Sequence, residues 1–537
     1  MEIPLGALVV FVLLAFAASL FYLLRPLPGG KVSEATDPPL DGGRVLRAPP
    51  SPPWGLPLLG HLHLLGGLPH RALRSMAAAH GPVLLLRLAR VPAVLVSSAA
   101  AADEVMRVRG LAFASRPRNA MAERLLYGAR DVAFAPYGEY WRQARRVCVV
   151  HLLSARRVSA FRRAREEEAA AMVGRVRVHA RATGGGAAAA FDLSELLVAY
   201  ANAVVSRAAF GDESARSLYG GADRGRELRK VFADATELLG MMPVRELLPW
   251  LGWVDTLRGL ERKARCTFEA LDGVLDKVID DHRRRRRRER GRRMDNADHR
   301  DFVDVLLDVN ETDGNEGGIQ LDAIEIKAII MDMFAAGTDA TSTPMEWAMA
   351  ELISHPCRMH KLQDEIRAVV GEAGRITEDH MDRLPYLKAV LKETLRLHPP
   401  LPLLVPREPQ VDTEIHGYHV AARTQVVINA WAIGRDPAVW GEKAEEFMPE
   451  RFLGSTVDYR GQSFEMVPFG GGRRGCPGVE FAMATIEMAL ASLLYHFNWE
   501  VAVTANGRLL DMSETNGLTV GLKFGLPLVA MPYFPLI

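Results

Sequence analysis

The chain has 537 residues, 49% of them hydrophobic, enough for a large buried core. A formal net charge of +1 excludes any general electrostatic case for nucleic-acid binding. The four cysteines, Cys148, Cys266, Cys357 and Cys476, are far apart and form no CxxC pair. That excludes a zinc knuckle and a disulfide framework, and it fits a reducing compartment.

In chain order, the first element is an uncharged run from Ile3 to Leu24. As a helix it would span about 33 Å, against a hydrocarbon core of roughly 30 Å. A cleaved signal peptide has a shorter apolar core of about 7–15 residues. The sequence therefore predicts a single-pass membrane anchor over 1–25. Glu2 before the run, and Arg25 and Lys31 after it, favour a lumenal N-terminus and a cytosolic body. Residues 26–60 read as a linker and a proline-rich hinge, in which Pro49, Pro50, Pro52 and Pro53 favour stiff, extended backbone. No long Pro/Ser/Gly linker divides 61–537, so that stretch reads as one body. "PVLLLRL" (82–88) and "PAVLVSS" (92–98) are strand-like, and from about Phe191 onward apolar residues recur mostly at helical spacing. The fold class is mainly α with a minor β-sheet region. "GGGAAAA" (184–190) reads as a flexible surface loop. "HRRRRRRERGRR" (282–293) reads as a solvated connector between helices, with contact to anionic lipid headgroups as its alternative.

The most informative stretch is "PFGGGRRGCPG" (468–478). Within it stands Phe469-x-x-Gly472-x-Arg474-x-Cys476-x-Gly478. Glycines allow backbone to approach a flat ligand closely and to take positive φ. Backbone N–H groups in a turn can hydrogen-bond a thiolate, and Arg474 could pair with a ligand carboxylate. A haem iron held by a thiolate has these requirements. The stretch resembles the haem-binding loop of the cytochrome P-450 superfamily. "KETLRLHPP" carries Glu393 and Arg396, three apart on one helix face, and "PERF" supplies Arg451. These resemble the superfamily's Glu–Arg–Arg set, which locks the core around the haem loop. Trp141 and Arg145 of "WRQAR", and Arg407 of "VPRE", resemble its haem-propionate partners. The likeness runs the length of the chain, and "AAGTDATSTPMEWAMAELISHP" and "AWAIGRDP" resemble plant microsomal A-type members.

One segment departs from the family pattern. Ala336-Gly337-Thr338-Asp339-Ala340-Thr341 has alanine where the resemblance implies a threonine that delivers protons during oxygen activation. Asp339 remains, and Thr341 lies one position later, about 100° around the helix. Pro344 has no N–H for the carbonyl of Ala340, so the helix is expected to be locally open there. Gly337, Asp339, Ala340 and Thr341 are the expected catalytic segment.

The resemblance implies a P-450 fold with residues 61–537 as the haem-thiolate catalytic domain. It also implies haem b with Cys476 as its axial thiolate, and NADPH used indirectly through a NADPH–cytochrome P-450 reductase. The expected location is the endoplasmic reticulum membrane, with lipid as a partner and nucleic acid as none. Arg142, Arg145 and Arg146 would help form the reductase's docking face. The pocket is expected from Arg118–Tyr127, Phe334–Thr338, Leu401–Val405 and Gly517–Val520, implying a small apolar or aromatic substrate. The expected activity is hydroxylation of a plant specialised metabolite with dioxygen. Its alternatives are a haem-thiolate dehydratase or isomerase without net dioxygen use, and a non-catalytic haem-binding protein.

Overall fold

The structure, a computed structural model, describes residues 46–183, 190–219, 222–289, 300–312, 321–371, 374–502 and 510–533. The expected anchor, its flanking charges and nearly all of the Gly/Ala loop lie outside these residues. Among the described residues no helix is long and apolar enough to cross a membrane. The described part of the proline-rich hinge is seated on the body. Pro50 O accepts the Leu85 N–H at 2.9 Å, Pro52 O lies 3.0 Å from His61 Nε2, and Arg47 O accepts the His419 N–H at 2.9 Å.

The architecture is mainly helical, with small sheets. The two strand-like runs form strands β1 (Val83–Leu88) and β2 (Val91–Val96), which pair antiparallel. Pro92 sits where the ladder tolerates it: β6 (Gln425–Ile428) joins β2 in parallel only from Ala93 onward. A second sheet places β8 (Pro527–Pro532) between β3 (Phe191–Asp192) and β7 (Phe497–Val501), and β4 (Thr413–Ile415) pairs with β5 (Tyr418–Val420).

Ten helices position the site: α1 (Glu139–Val147), α2 (Arg162–Thr183), α3 (Leu193–Tyr219), α4 (Ala222–Gly240), α5 (Leu260–Glu289), α6 (Phe302–Thr312), α7 (Ala323–Ser354), α8 (Pro356–Val370), α9 (Pro385–Leu397) and α10 (Val479–His496). The longest, α7, begins in a capping box. Asp322 Oδ1 accepts the Glu325 N–H at 2.7 Å, and Glu325 Oε2 accepts the Asp322 N–H at 2.9 Å. It packs along α3 and α10. Phe334 is fully buried between Phe210 of α3 and Phe232 of α4, with ring centroids 5.5 and 3.8 Å away. Each such pair adds about 0.5–1.5 kcal/mol beyond area burial. Gly337 makes the close approach of α7 to α3 feasible, since a Cβ there would lie 2.8 Å from Val205 Cγ2.

The arginine run is not a simple solvated connector. Residues 283–289 continue α5, which arginine's helix propensity allows, and cations suit a helix C-terminus. Arg284 pairs with Asp281 at 2.9 Å, Arg285 with Asp304 at 3.1 Å and Arg286 with Asp308. Acidic residues on α6, remote in sequence, thus absorb part of the charge. Residues 290–293 lie outside the described set.

Candidate active site

The Glu–Arg–Arg set assembles as the resemblance implies. Pro385 opens α9, and the chain leaves the helix before Pro399. Glu393 and Arg396 are fully buried and joined by Nε–Oε2 and Nη2–Oε1 bonds of 2.6 and 2.8 Å. Arg451 Nε reaches Glu393 Oε1 at 3.0 Å, and the Met448 N–H donates to the same oxygen at 2.7 Å. Arg396 also donates to the carbonyls of Gly434 and Ala444, each at 2.6 Å. Gly434 is required at that crossing, since a Cβ would sit 2.3 Å from Arg396 O. These bonds tie α9 to the segment that leads into the cysteine loop.

That loop turns tightly. Gly470 and Gly472 have φ of 65° and 62°, and a Cβ on Gly472 would lie 1.8 Å from Met106 O. The Cys476 N–H donates to Phe469 O at 2.9 Å, and the Gly478 N–H lies 3.3 Å from Cys476 Sγ. The sulfur opens onto a cavity of about 250 Å³. Burial pushes its thiol up, while the Gly478 N–H and Arg145 pull it down.

Of the residues predicted for catalysis, haem binding and iron ligation, Trp141, Arg145, Gly337, Ala340, Thr341, Arg407, Phe469, Arg474, Cys476 and Gly478 line this cavity. Two do not. Gly472 shapes the loop from behind, and the Asp339 carboxyl, raised by burial, hydrogen-bonds to Thr236 of α4. The cavity face of α7 is Asp332, Met333, Ala336, Gly337, Ala340 and Thr341, a stripe at i, i+1, i+4, i+5, i+8 and i+9 that excludes position 339. Helix α7 runs through Pro344 without a break. Any opening is confined to the one bond proline cannot make, and Ser342 Oγ donates to the neighbouring Asp339 carbonyl at 3.3 Å.

The expected pocket divides. Leu401, Leu404 and Val405 line the main cavity. Phe334 and Thr338 do not, because they face the core. Arg118 and Leu518 line a separate chamber that shares Arg116 and Val405 with the main one.

Arg116 escaped the sequence reading. A lone arginine in "SRPRN" carries no motif that separates it from a surface cation. Here it lines the cavity and donates to Ala133 O, Val405 O and Pro406 O at 2.9, 2.6 and 2.9 Å. Arg407 donates to Gly471 O at 2.7 Å, while its buried Nη1 has no acceptor among the described residues. Arg145 donates to Gly475 O at 2.5 Å. Arg474 differs from the expectation that it reaches for a ligand. It donates to the carbonyls of Ala114, Val132 and Ala135, and stacks 4.0 Å over Trp141, whose own N–H goes to Val132 O at 2.9 Å. Burial lowers Arg407 to about 10, and burial with repulsion from Arg407 lowers Arg474 to about 9.

Four partly or fully buried guanidiniums around one cavity, one with an unpaired donor, call for an anionic ligand. The Cys476 thiol and the small residues Ala336, Gly337 and Ala340 line the same cavity. These residues fit haem: the arginines would hold its carboxylates and Cys476 its iron. Fold and cavity therefore define a haem-thiolate protein.

The comparisons agree. Residues 49–520 match the family profile described as Cytochrome P450. The chain is 45% identical to Cytochrome P450 736A117 of Prunus mume over 90% of each chain. It is 46% identical to Cytochrome P450 71A1 of Persea americana, over 88% of this chain and 91% of that one. A solved structure titled "Zebra fish cytochrome P450 another structure with Abiraterone" superposes with a TM-score of 0.71 at 25% identity, covering 87% of this chain and 99% of that one. The chain belongs to the cytochrome P450 family, as a plant A-type haem-thiolate monooxygenase.

Proposed function

We propose that this enzyme hydroxylates a small apolar or aromatic specialised metabolite, taking electrons from NADPH through a flavoprotein reductase. The observation that carries the substrate class is the apolar part of the cavity lining: Val205, Met333, Ala336, Leu401, Leu404 and Val405 offer small or aliphatic surface. A relative 42% identical over 90% of this chain is named Norfluorocurarine oxidase, from Strychnos sp, which accords with oxidation of a small molecule.

Haem, when bound, supplies the reductive activation of dioxygen that places one oxygen atom in the substrate. The protein's part is to bind, orient and deliver protons. Arg407 Nη1 is the free donor for a haem carboxylate, and Arg116, Arg145 and Arg474 supply the surrounding positive field. With alanine at 340, Thr341 supplies the hydroxyl on the cavity wall of α7. Asp339 stands behind the wall and serves as a proton store facing α4. On α1, Trp141 and Arg145 turn inward whereas Arg142 and Arg146 are exposed. The latter two are the cations that support docking of an acidic reductase surface.

Residues 1–25 anchor the protein in the endoplasmic reticulum membrane, with 61–537 as the cytosolic catalytic domain. The uncharged run 3–24 supports this, as do exposed Trp54 and Leu58 on the hinge and Trp250, Trp253 and Leu257 on the body. The test is product analysis by mass spectrometry, using microsomes that hold this protein and a reductase and a metabolite library. Products gaining one oxygen, dependent on NADPH and dioxygen, support the reading. Products formed without either would replace it with a dehydratase or isomerase.

A further inference from the structure

The segment 131–135 at the rim of the cavity is a backbone hub. Asp332 Oδ2, on α7, accepts the N–H groups of Val132 and Ala133 at 2.8 and 2.9 Å. The carbonyls of the segment face the other way. Val132 O accepts from Trp141 Nε1 at 2.9 Å and Arg474 Nη1 at 3.2 Å. Ala133 O accepts from Arg116 Nε at 2.9 Å, and Ala135 O from Arg474 Nη2 at 2.6 Å. One carboxylate on α7 thereby orients three cavity side chains through a short strip of backbone.

Asp131 lies against Asp332 and is fully buried. Its Oδ2 accepts the Phe134 N–H at 2.8 Å. Its Oδ1 is buried and has no hydrogen-bond donor among the described residues. A buried carboxylate oxygen facing a second carboxylate is unfavourable twice over, through lost hydration and like-charge repulsion. One proton between the two groups removes both costs.

We propose that Asp131 and Asp332 share one proton, and that the pair are positioning residues which hold segment 131–135 on α7 so that its carbonyls fix Arg116, Trp141 and Arg474 around the haem site. This rests on the cavity being the haem site. The charged and titratable groups facing the pair are Arg116, Arg145, Arg474, Tyr140, Cys148 and Cys476. The three arginines favour ionisation. Burial outweighs them, raising Asp332 to about 6, and burial with Asp332's charge raises Asp131 well above its ordinary value. Haem carboxylates add negative charge nearby and push the same way.

The sign follows. Unfolded aspartates release their proton near pH ~3.9, whereas the folded pair keeps one to higher pH. The pair's stabilising contribution is therefore full below about pH 4 and falls as pH rises through about 6 and past neutral. Asp131→Asn places a permanent N–H donor against Asp332 and keeps an acceptor for Phe134. Asp131→Ala removes both.

The experiment compares wild type, Asp131→Asn and Asp131→Ala as holoenzymes. Isotope-edited infrared spectra of the wild type at pH 7 should show a protonated aspartate band that Asp131→Asn lacks. The thermal midpoint of Asp131→Asn should gain on wild type as pH rises from 5 to 9. Amide exchange at Val132 and Ala133, and haem transfer to apomyoglobin, should be unchanged in Asp131→Asn and faster by about tenfold or more in Asp131→Ala. No protonated band in wild type, or Asp131→Asn losing ground at high pH, overturns the shared proton. Faster exchange in Asp131→Ala without faster haem transfer overturns the positioning role. A complete absence of haem from wild type would instead refute the haem-site reading itself.

Discussion

Glu393→Gln is the sharpest test of what holds the cysteine loop in place. The wild-type carboxylate accepts four donors: two from Arg396, one from Arg451 and the Met448 N–H. Its side chain and that of Arg396 are both fully buried. An amide keeps the shape but loses the charge, and it turns an N–H₂ toward guanidinium donors. Two largely buried cations are then left uncompensated. Replacing a buried pair wholesale by apolar residues is often neutral, but removing one partner costs about 3–5 kcal/mol. Against a total of about 5–15 kcal/mol, that is a large fraction. With an m-value of about 3 kcal/mol/M, the urea midpoint should fall by about 1–1.7 M. The assay is urea unfolding followed by tryptophan fluorescence and by haem absorbance. The control is Glu480→Gln, which breaks an ion pair to Arg460 of 2.9 Å in which both side chains are 53% exposed. Such pairs contribute about 0–1 kcal/mol, so the control should shift the midpoint by less than about 0.3 M. If Glu393→Gln shifts it no more than Glu480→Gln does, the structural role assigned to the buried set is wrong.

Cys476→His should move the Soret band of the reduced carbonyl complex from about 450 nm towards about 420 nm, as a neutral imidazole replaces a thiolate; an unmoved band would remove Cys476 as the ligand. Thr341→Val should lower product per NADPH and raise peroxide, since a positioned proton donor is worth about 10²–10⁴ in rate, whereas Ala340→Thr should hold or improve coupling. Equal coupling in Thr341→Val would take Thr341 out of the relay. Gly337→Ala should destabilise by about 1–3 kcal/mol, because its Cβ meets Val205 Cγ2 at 2.8 Å, and Val205→Ala in the same chain should recover most of the loss in thermal midpoint. Burial opposes ionisation of Glu514, but the hydrogen bonds from His70 and Arg71 prevail and hold it at about 2. An unfolded glutamate titrates near 4.3, so this stabilisation is present above about pH 4.3 and lost as pH falls towards 2. Glu514→Gln should therefore lie below wild type at pH 6 and converge with it in acid, by thermal melts at each pH.

Much of the site could be read from local spacing, because its chemistry is local. The cysteine loop needs positive φ at Gly470 and Gly472 within a few residues of the sulfur, and only glycine supplies that cheaply. Glu393 and Arg396 meet because i and i+3 share a helix face. Strands β1 and β2 follow from adjacent β-branched and leucine runs that pair across a tight turn. The tertiary structure decided what depends on which way a side chain points and on what lies far off in sequence. Asp339 and Ala340 are neighbours in the chain, yet only Ala340 faces the cavity, because helical phase against α3 and α4 sets the buried stripe. Arg116 becomes part of the cradle, and Asp131 meets Asp332 across 201 positions, only once the 131–135 segment is laid on α7. The arginine run could not be read as partly neutralised before Asp304 and Asp308 of α6 were brought beside it. Burial converts these encounters into chemistry, since a charge that is inexpensive in water must find a partner, or a proton, once water is excluded.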